Sequence, residues 1–241
     1  MISLRKELKS VSLEANCDCD AGLVYEISNS ASDSVSGACG NGTRCVADLI
    51  SKENGKKNII LTTLSGNLKS EILGNNLVTT EIGEAKTKWN EIPLSNELDT
   101  LNLNIKINDK KNKEHFGGTA VNVGNPHVIF FVNELQNFDI SKIGPQLEIH
   151  KIFPEKCNVT IAQIINKNLI KVKVWERGAG LTKACGTAAC ATAFAGTLNR
   201  FTENNTDIEF ASGKLSIFID DKNSIHMKGP VSDIKKISVK L

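Results

Sequence analysis

The sequence predicts an α+β protein built twice from one unit of helix, strand, hairpin and strand. Three observations carry that prediction. Short segments rich in β-branched residues dominate, at Asn58–Thr63, Val78–Ile82, Leu169–Trp175 and Leu215–Ile219, each bounded by Gly, Asn, Asp or Ser. Only two stretches show clear helical periodicity, one after Cys39 through Cys45, Val46, Leu49 and Ile50, the other after Cys185 through Ala189, Ala193 and Leu198. Both helices open on nearly the same words, Ala38-Cys39-Gly40-Asn41 and Ala184-Cys185-Gly186-Thr187.

The likeness continues downstream. A Ser-Gly turn stands between two strand segments at Ser65-Gly66 and again at Ser212-Gly213. Gly83 lies 44 residues after Cys39 (83 − 39), and Gly229 lies 44 after Cys185 (229 − 185). A self-similar sequence implies a self-similar fold, so a pseudo-dyad should set equivalent positions face to face across a cleft. The break between the halves is expected in the polar stretch Asn108 to Lys113. The halves are then 1–111, carrying Cys39, and 112–230, carrying Cys185, with 231–241 returning as a strand to complete the first.

Composition narrows the function. The 241 residues suffice for one large domain or two modest ones. Lys and Arg number 29 against 27 Asp and Glu, a net charge of +2, so no strong field draws nucleic acid or an anionic membrane. A small-molecule partner is expected. No apolar run has the length of a membrane span and Met1 to Lys6 do not open a signal peptide, which points to the cytoplasm. Seven cysteines in a reducing compartment remain thiols.

Cys39 and Cys185 each precede a helix start, where unpaired backbone N–H groups and the helix dipole are expected to lower a thiol pKa towards neutrality. The amides of Gly40 and Asn41, and of Gly186 and Thr187, suit a carboxylate ligand. Two helix starts around one carboxylate would stabilise negative charge developing at an α-carbon. One thiolate removes the α-proton and the opposite thiol returns one to the other face, which inverts the centre with no cofactor. For a lone cysteine, buried filler is the commoner reading, and it is the reading preferred for Cys45 and Cys190. A zinc site built on Cys17 and Cys19 lacks the Cys-x-x-Cys or His pair needed to complete it, so no metal is expected.

Three strings then carry a resemblance: Ala38-Cys39-Gly40-Asn41-Gly42-Thr43-Arg44-Cys45; Gly124-Asn125-Pro126-His127; and Trp175-Glu176-Arg177-Gly178-Ala179-Gly180 followed by Ala184-Cys185-Gly186-Thr187. Together with Met227-Lys228-Gly229-Pro230 they resemble diaminopimelate epimerase from about Gly37 onward. The resemblance implies two domains of similar fold, each a mainly antiparallel sheet wrapped around a central helix. It implies a pyridoxal-free two-base epimerase interconverting L,L- and meso-diaminopimelate for lysine and peptidoglycan synthesis, and a homodimer. It casts Cys39 and Cys185 as the acid/base pair and Asn125, Asn158, Glu176 and Arg177 as substrate-binding, beside the helix-start residues Gly40, Asn41, Gly186 and Thr187. His127, with Glu176, supports a thiol. The Gly-Asn-Asp-Phe string with which the family opens does not occur. Two other expectations therefore stand beside the first: a shortened or degenerate paralogue of low turnover, and a racemase or isomerase of the proline-racemase type.

Overall fold

The computed structural model describes residues 40–63 and 66–232. The chain runs α1 (Gly40–Asn54), β1 (Asn58–Thr63), β2 (Gly66–Gly74), β3 (Leu77–Glu84), β4 (Ile105–Asn108), β5 (Glu114–Gly117), β6 (Thr119–Asn122), β7 (Pro126–Phe131), α2 (Ile140–Glu148), β8 (Asn158–Asn166), β9 (Leu169–Glu176), β10 (Gly180–Thr182), α3 (Gly186–Leu198), β11 (Asn205–Phe210), β12 (Gly213–Ile219) and β13 (Ser224–Pro230). It is a sheet-dominated α+β fold, as the sequence predicts, and both expected helices form.

The main sheet has the order β1-β2-β3-β13-β12-β11-β9-β8-β7-β6. Its first six strands read the same from either end, because the last strand of the first unit, β3, pairs antiparallel with the last strand of the second, β13. The pseudo-dyad passes between them. An offset of 146 (185 − 39) carries Gly83 to Gly229 and Val78 to Ser224 (78 + 146). Symmetry would therefore turn the observed pair Val78–Gly229 into Gly83–Ser224. Gly83 faces Ile225 instead, one residue away, and the register shifts at Ile225/His226 through a bulge.

The second unit is larger than the first. Strand β9 joins β11 in parallel, and β8, β7 and β6 extend the sheet beyond it. Helix α3 is buried from Gly186 through Gly196 and packs against strands on both sides, including β6, β7, β8, β11, β12 and β13. Its string of Ala, Gly and Thr makes this possible, since small side chains let sheet approach from every direction and leave no polar face for solvent. Helix α1 is amphipathic by contrast. It buries Ala47 and Ile50 against Ile59, Leu61 and Val78, and Val231 beyond β13 joins the same cluster.

Two features depart from the sequence reading. A third helix, α2, occupies Ile140–Glu148; Gly144 and Pro145 mask its period, yet Ile140, Ile143 and Leu147 form a buried face and Asp139 caps its start through Ser141 N. Cys45 is exposed rather than filling the core, because it lies on the outer side of α1, whereas Cys190 is fully buried as expected. The polar stretch from Asn108 to Lys113 forms the turn of the β4–β5 hairpin.

The crowding at the dyad is testable at Gly229. A Cβ there would come within 2.4 Å of Leu215 Cδ2 and 3.2 Å of Arg44 Cζ, whereas one at Gly117 would meet nothing within 4 Å. Gly229→Ala should lower stability by about 1–3 kcal/mol in urea unfolding. Gly117→Ala should stay within about 0.5 kcal/mol of the parent. Equal midpoints for the two variants would contradict this packing.

Candidate active site

Four short segments, all near the start of α3, bring together the site residues that the sequence singles out in its second half. Cys185 is the N-cap of α3, with extended backbone (φ −142°, ψ 120°) that turns the chain into the helix. Ser212 Oγ, in the β11–β12 turn, donates to Lys183 O at 2.8 Å and fixes the approach to that cap. Cys185 is 7 % exposed, and its Sγ sits 3.4 Å from Thr187 Oγ1. Gly186 and Thr187 are buried in the first turn, where backbone N–H groups lack helical acceptors.

Glu176 ends β9 and is the ionisable group beside the thiol. The hairpin Arg177-Gly178-Ala179 returns through β10, which pairs Gly180 with Glu176 and Thr182 with Val174, and leads directly into Cys185. Gly178 and Gly180 take φ of 75° and 80°, which explains why a glycine-rich turn stands here. Burial pushes the Cys185 thiol up to about 12, and the Glu176 carboxylate reinforces the rise. The Thr187 hydroxyl and the Ala188 N–H oppose it without prevailing. The expected lowering by the helix start is therefore overturned: desolvation of a thiolate outweighs a few N–H dipoles.

Asn125, His127 and Asn158 form a second cluster that locks the hairpin from behind. His127 Nε2 and Asn125 Oδ1 are 2.9 Å apart, so the ring donates to the amide oxygen. Asn158 Nδ2 donates to Pro126 O at 3.1 Å, and Asn158 Oδ1 accepts from Arg177 N at 3.0 Å. Parallel pairing of β7 with β8 places His127 opposite Asn158. Burial, with the Arg177 guanidinium adding to it, drops His127 to about 3, so the ring is neutral. The described polar contacts of His127 are with the two asparagines, while Glu176 is the group that reaches Cys185. The Arg177 side chain is exposed, with Nη1 donating to Glu155 O at 2.8 Å.

On the other side of the dyad, Gly40 begins α1 as Gly186 begins α3. Cys39 lies outside the described residues, as does the Asn41 side chain. One turn into the helices, dyad-related positions Arg44 and Cys190 (44 + 146 = 190) lie close enough for the guanidinium to lower the Cys190 thiol, although burial still leaves it at about 12. The first turns of α1 and α3 therefore converge. A cavity of about 410 Å³ lined by Asp109, His115, Phe116, Glu134 and Phe138 lies elsewhere and contains none of the residues predicted from the sequence.

Sequence reasoning missed Glu148, the last residue of α2. Its carboxylate accepts from Trp175 Nε1 at 2.7 Å and from Gly178 N at 3.1 Å, gripping the hairpin on both sides of Glu176 and Arg177. A single glutamate in a stretch with obscured helical period carried no signal of this.

Comparison with known proteins gives the chain a family. A family model described as diaminopimelate epimerase covers residues 119–234. A diaminopimelate epimerase of Pelagibacter ubique (strain HTCC1062) is 64 % identical over 95 % of this chain and 82 % of its own length. One of Acidiphilium cryptum (strain JF-5) is 40 % identical over 84 % of this chain and 71 % of its own. Among solved structures, a hydroxyproline epimerase from Agrobacterium vitis shares the fold with a TM-score of 0.58 at 11 % identity, over 90 % of this chain and 70 % of that one. Identity of 64 % and 40 % to these relatives makes the chain a member of the diaminopimelate epimerase family.

Proposed function

We propose that this enzyme interconverts L,L- and meso-diaminopimelate by moving one α-proton between opposite faces, with Cys185 on one face and Cys39 on the other. The observation that carries this is the Cys185 thiol, capping a buried helix beside the Glu176 carboxylate. Its raised pKa suits the chemistry. At neutral pH Cys185 is a thiol ready to protonate a carbanion. Once it has given up that proton Cys185 is a thiolate, and in the reverse direction this thiolate, shielded from water, takes the α-proton back. The N–H groups of Gly186 and Thr187, and those of Gly40 and Asn41 on α1, hold the α-carboxylate where charge develops.

Asn125 and Asn158 join the substrate-binding set, as the family resemblance implies. Asn158 spends both ends of its amide on Pro126 and Arg177 backbone, which gives it a share in orienting Arg177. The exposed guanidinium of Arg177 grips the carboxylate at the far end of the substrate, which a proline-like substrate lacks. His127, neutral and buried, stiffens this wall. The reading also takes the chain as two halves, 1–111 and 112–230 with 231–241 completing the first, supported by the mirrored strand order and by Val231 in the α1 core. A cytoplasmic homodimer, as the family resemblance implies, belongs to the same proposal; among the described residues no helix is long and apolar enough to cross a membrane.

In deuterated water, turnover should place deuterium at the α-carbon, and Cys185→Ala or Cys39→Ala should each lower kcat/KM by roughly 10²- to 10⁴-fold. Full activity in either variant would exclude the two-thiol scheme. Glu176→Gln removes the negative charge that helps raise the Cys185 pKa, so alkylation of Cys185 by iodoacetamide should rise at lower pH than in the parent; an unmoved or higher midpoint would separate Glu176 from the thiol. Sedimentation equilibrium should return twice the 26.1 kDa chain mass, and a monomer at all concentrations would reject the dimer.

A further inference from the structure

We infer that Glu148 is a positioning residue for the reaction, and that it sets the placement of Glu176 and Arg177 by clamping the hairpin between them from α2. The inference rests on the site assignment proposed above. Two hydrogen bonds carry it. Glu148 Oε2 accepts from the Trp175 indole N–H at 2.7 Å, one residue before Glu176, and Oε1 accepts from Gly178 N at 3.1 Å, one residue after Arg177. One carboxylate thus spans the two residues whose orientation the chemistry needs.

Three further observations show that this contact is built into the fold. The backbone of α2 sits directly on the indole, because Gly144 has no side chain; a Cβ there would fall within 2.6 Å of Trp175 Cβ, Cγ and Cδ2. The same end of α2 is bonded to the start of β8, with Cys157 N donating to Glu148 O at 3.1 Å and Cys157 Sγ to Leu147 O at 3.5 Å. Asn158, the next residue, accepts from Arg177 N. The hairpin is therefore held from Glu148 and from Asn158, and both holds trace back to α2. Finally, a carboxylate in the last turn of a helix opposes the helix dipole, and α2 has no basic residue in that turn to offset it. The two N–H donors supply the offset, so the carboxylate is matched to the hairpin rather than to its own helix.

Glu148→Gln keeps size and polarity but leaves one acceptor oxygen for two donors, so one hydrogen bond must be lost. Placement errors of this kind should reduce kcat/KM for diaminopimelate by roughly 10- to 100-fold, with KM raised through Arg177 and kcat lowered through Glu176. Trp175→Phe removes only the indole donor and should act in the same direction with smaller effect. The double variant should lose little beyond Glu148→Gln alone, because both changes release one clamp. Unchanged kcat and KM in folded Glu148→Gln protein, even with a lowered melting temperature, would reduce Glu148 to a structural role and overturn the inference, as would fully additive losses. If Glu148→Gln does not fold, Trp175→Phe decides: unchanged kcat and KM overturn the inference, and a lowered kcat with a raised KM supports it. Cys185→Ala, assayed in parallel, separates the two levels. An active Cys185→Ala defeats the site assignment itself, whereas an inactive one beside an unaffected Glu148→Gln defeats only the clamp.

Discussion

The antiparallel pairing of β3 with β13 is the constraint on which the rest of the molecule depends. Each strand ends one copy of the repeated unit, so joining them sets the two copies back to back across a single continuous sheet. Helices α1 and α3 are then forced to converge, since each packs on its own three strands close to the shared seam. Gly229 lies in that seam with Arg44 and Leu215 against it, and the absence of a side chain there lets α1 approach β13. The proposed site, made of two helix starts, requires this approach, because neither start can surround a small molecule by itself.

Burial follows from the same arrangement, and it determines the chemistry of the thiol. An exposed cysteine at a helix start is acidified by N–H dipoles, but Cys185 lies deep between α3, the β9–β10 hairpin and a carboxylate. Desolvation and the Glu176 charge dominate, and the proton stays on sulfur. At neutral pH Cys185 is therefore held as the protonated thiol, the form that donates a proton.

The repeated unit was legible in the sequence because it was written twice, with the same Ala-Cys-Gly opening and the same spacing to Gly83 and Gly229. Strands with alternating β-branched residues, such as Asn58–Thr63, emerged with the bounds read from the sequence. What escaped did so for physical reasons. Helix α2 was hidden by Gly144 and Pro145, although Gly144 is there to admit the Trp175 ring. The exposure of Cys45 depends on which side of α1 meets the sheet, and that side carries Ala47 and Ile50. The elevation of the Cys185 pKa and the grip of Glu148 both arise from groups far apart in the chain, and no local spacing encodes them. The resemblance implies Glu176, Arg177 and Asn158 as a set, but the division of labour among them follows from contacts between distant strands.

Two equivalent strands paired antiparallel about a dyad are also the geometry of an isologous subunit interface. In a dimer of single units, whatever residue stands near that axis must confront an identical copy of itself: two buried guanidiniums would repel, and two buried thiols would leave no cation. A chain that carries both units covalently is released from this rule. Arg44 and Cys190 occupy the matching positions here, a bulky cation against a small neutral group, and the β-bulge at Ile225 appears on one side only. Covalent tandem linkage therefore permits a handed pocket assembled from nearly symmetric walls, which is what a protein must possess to hold one end of a substrate differently from the other.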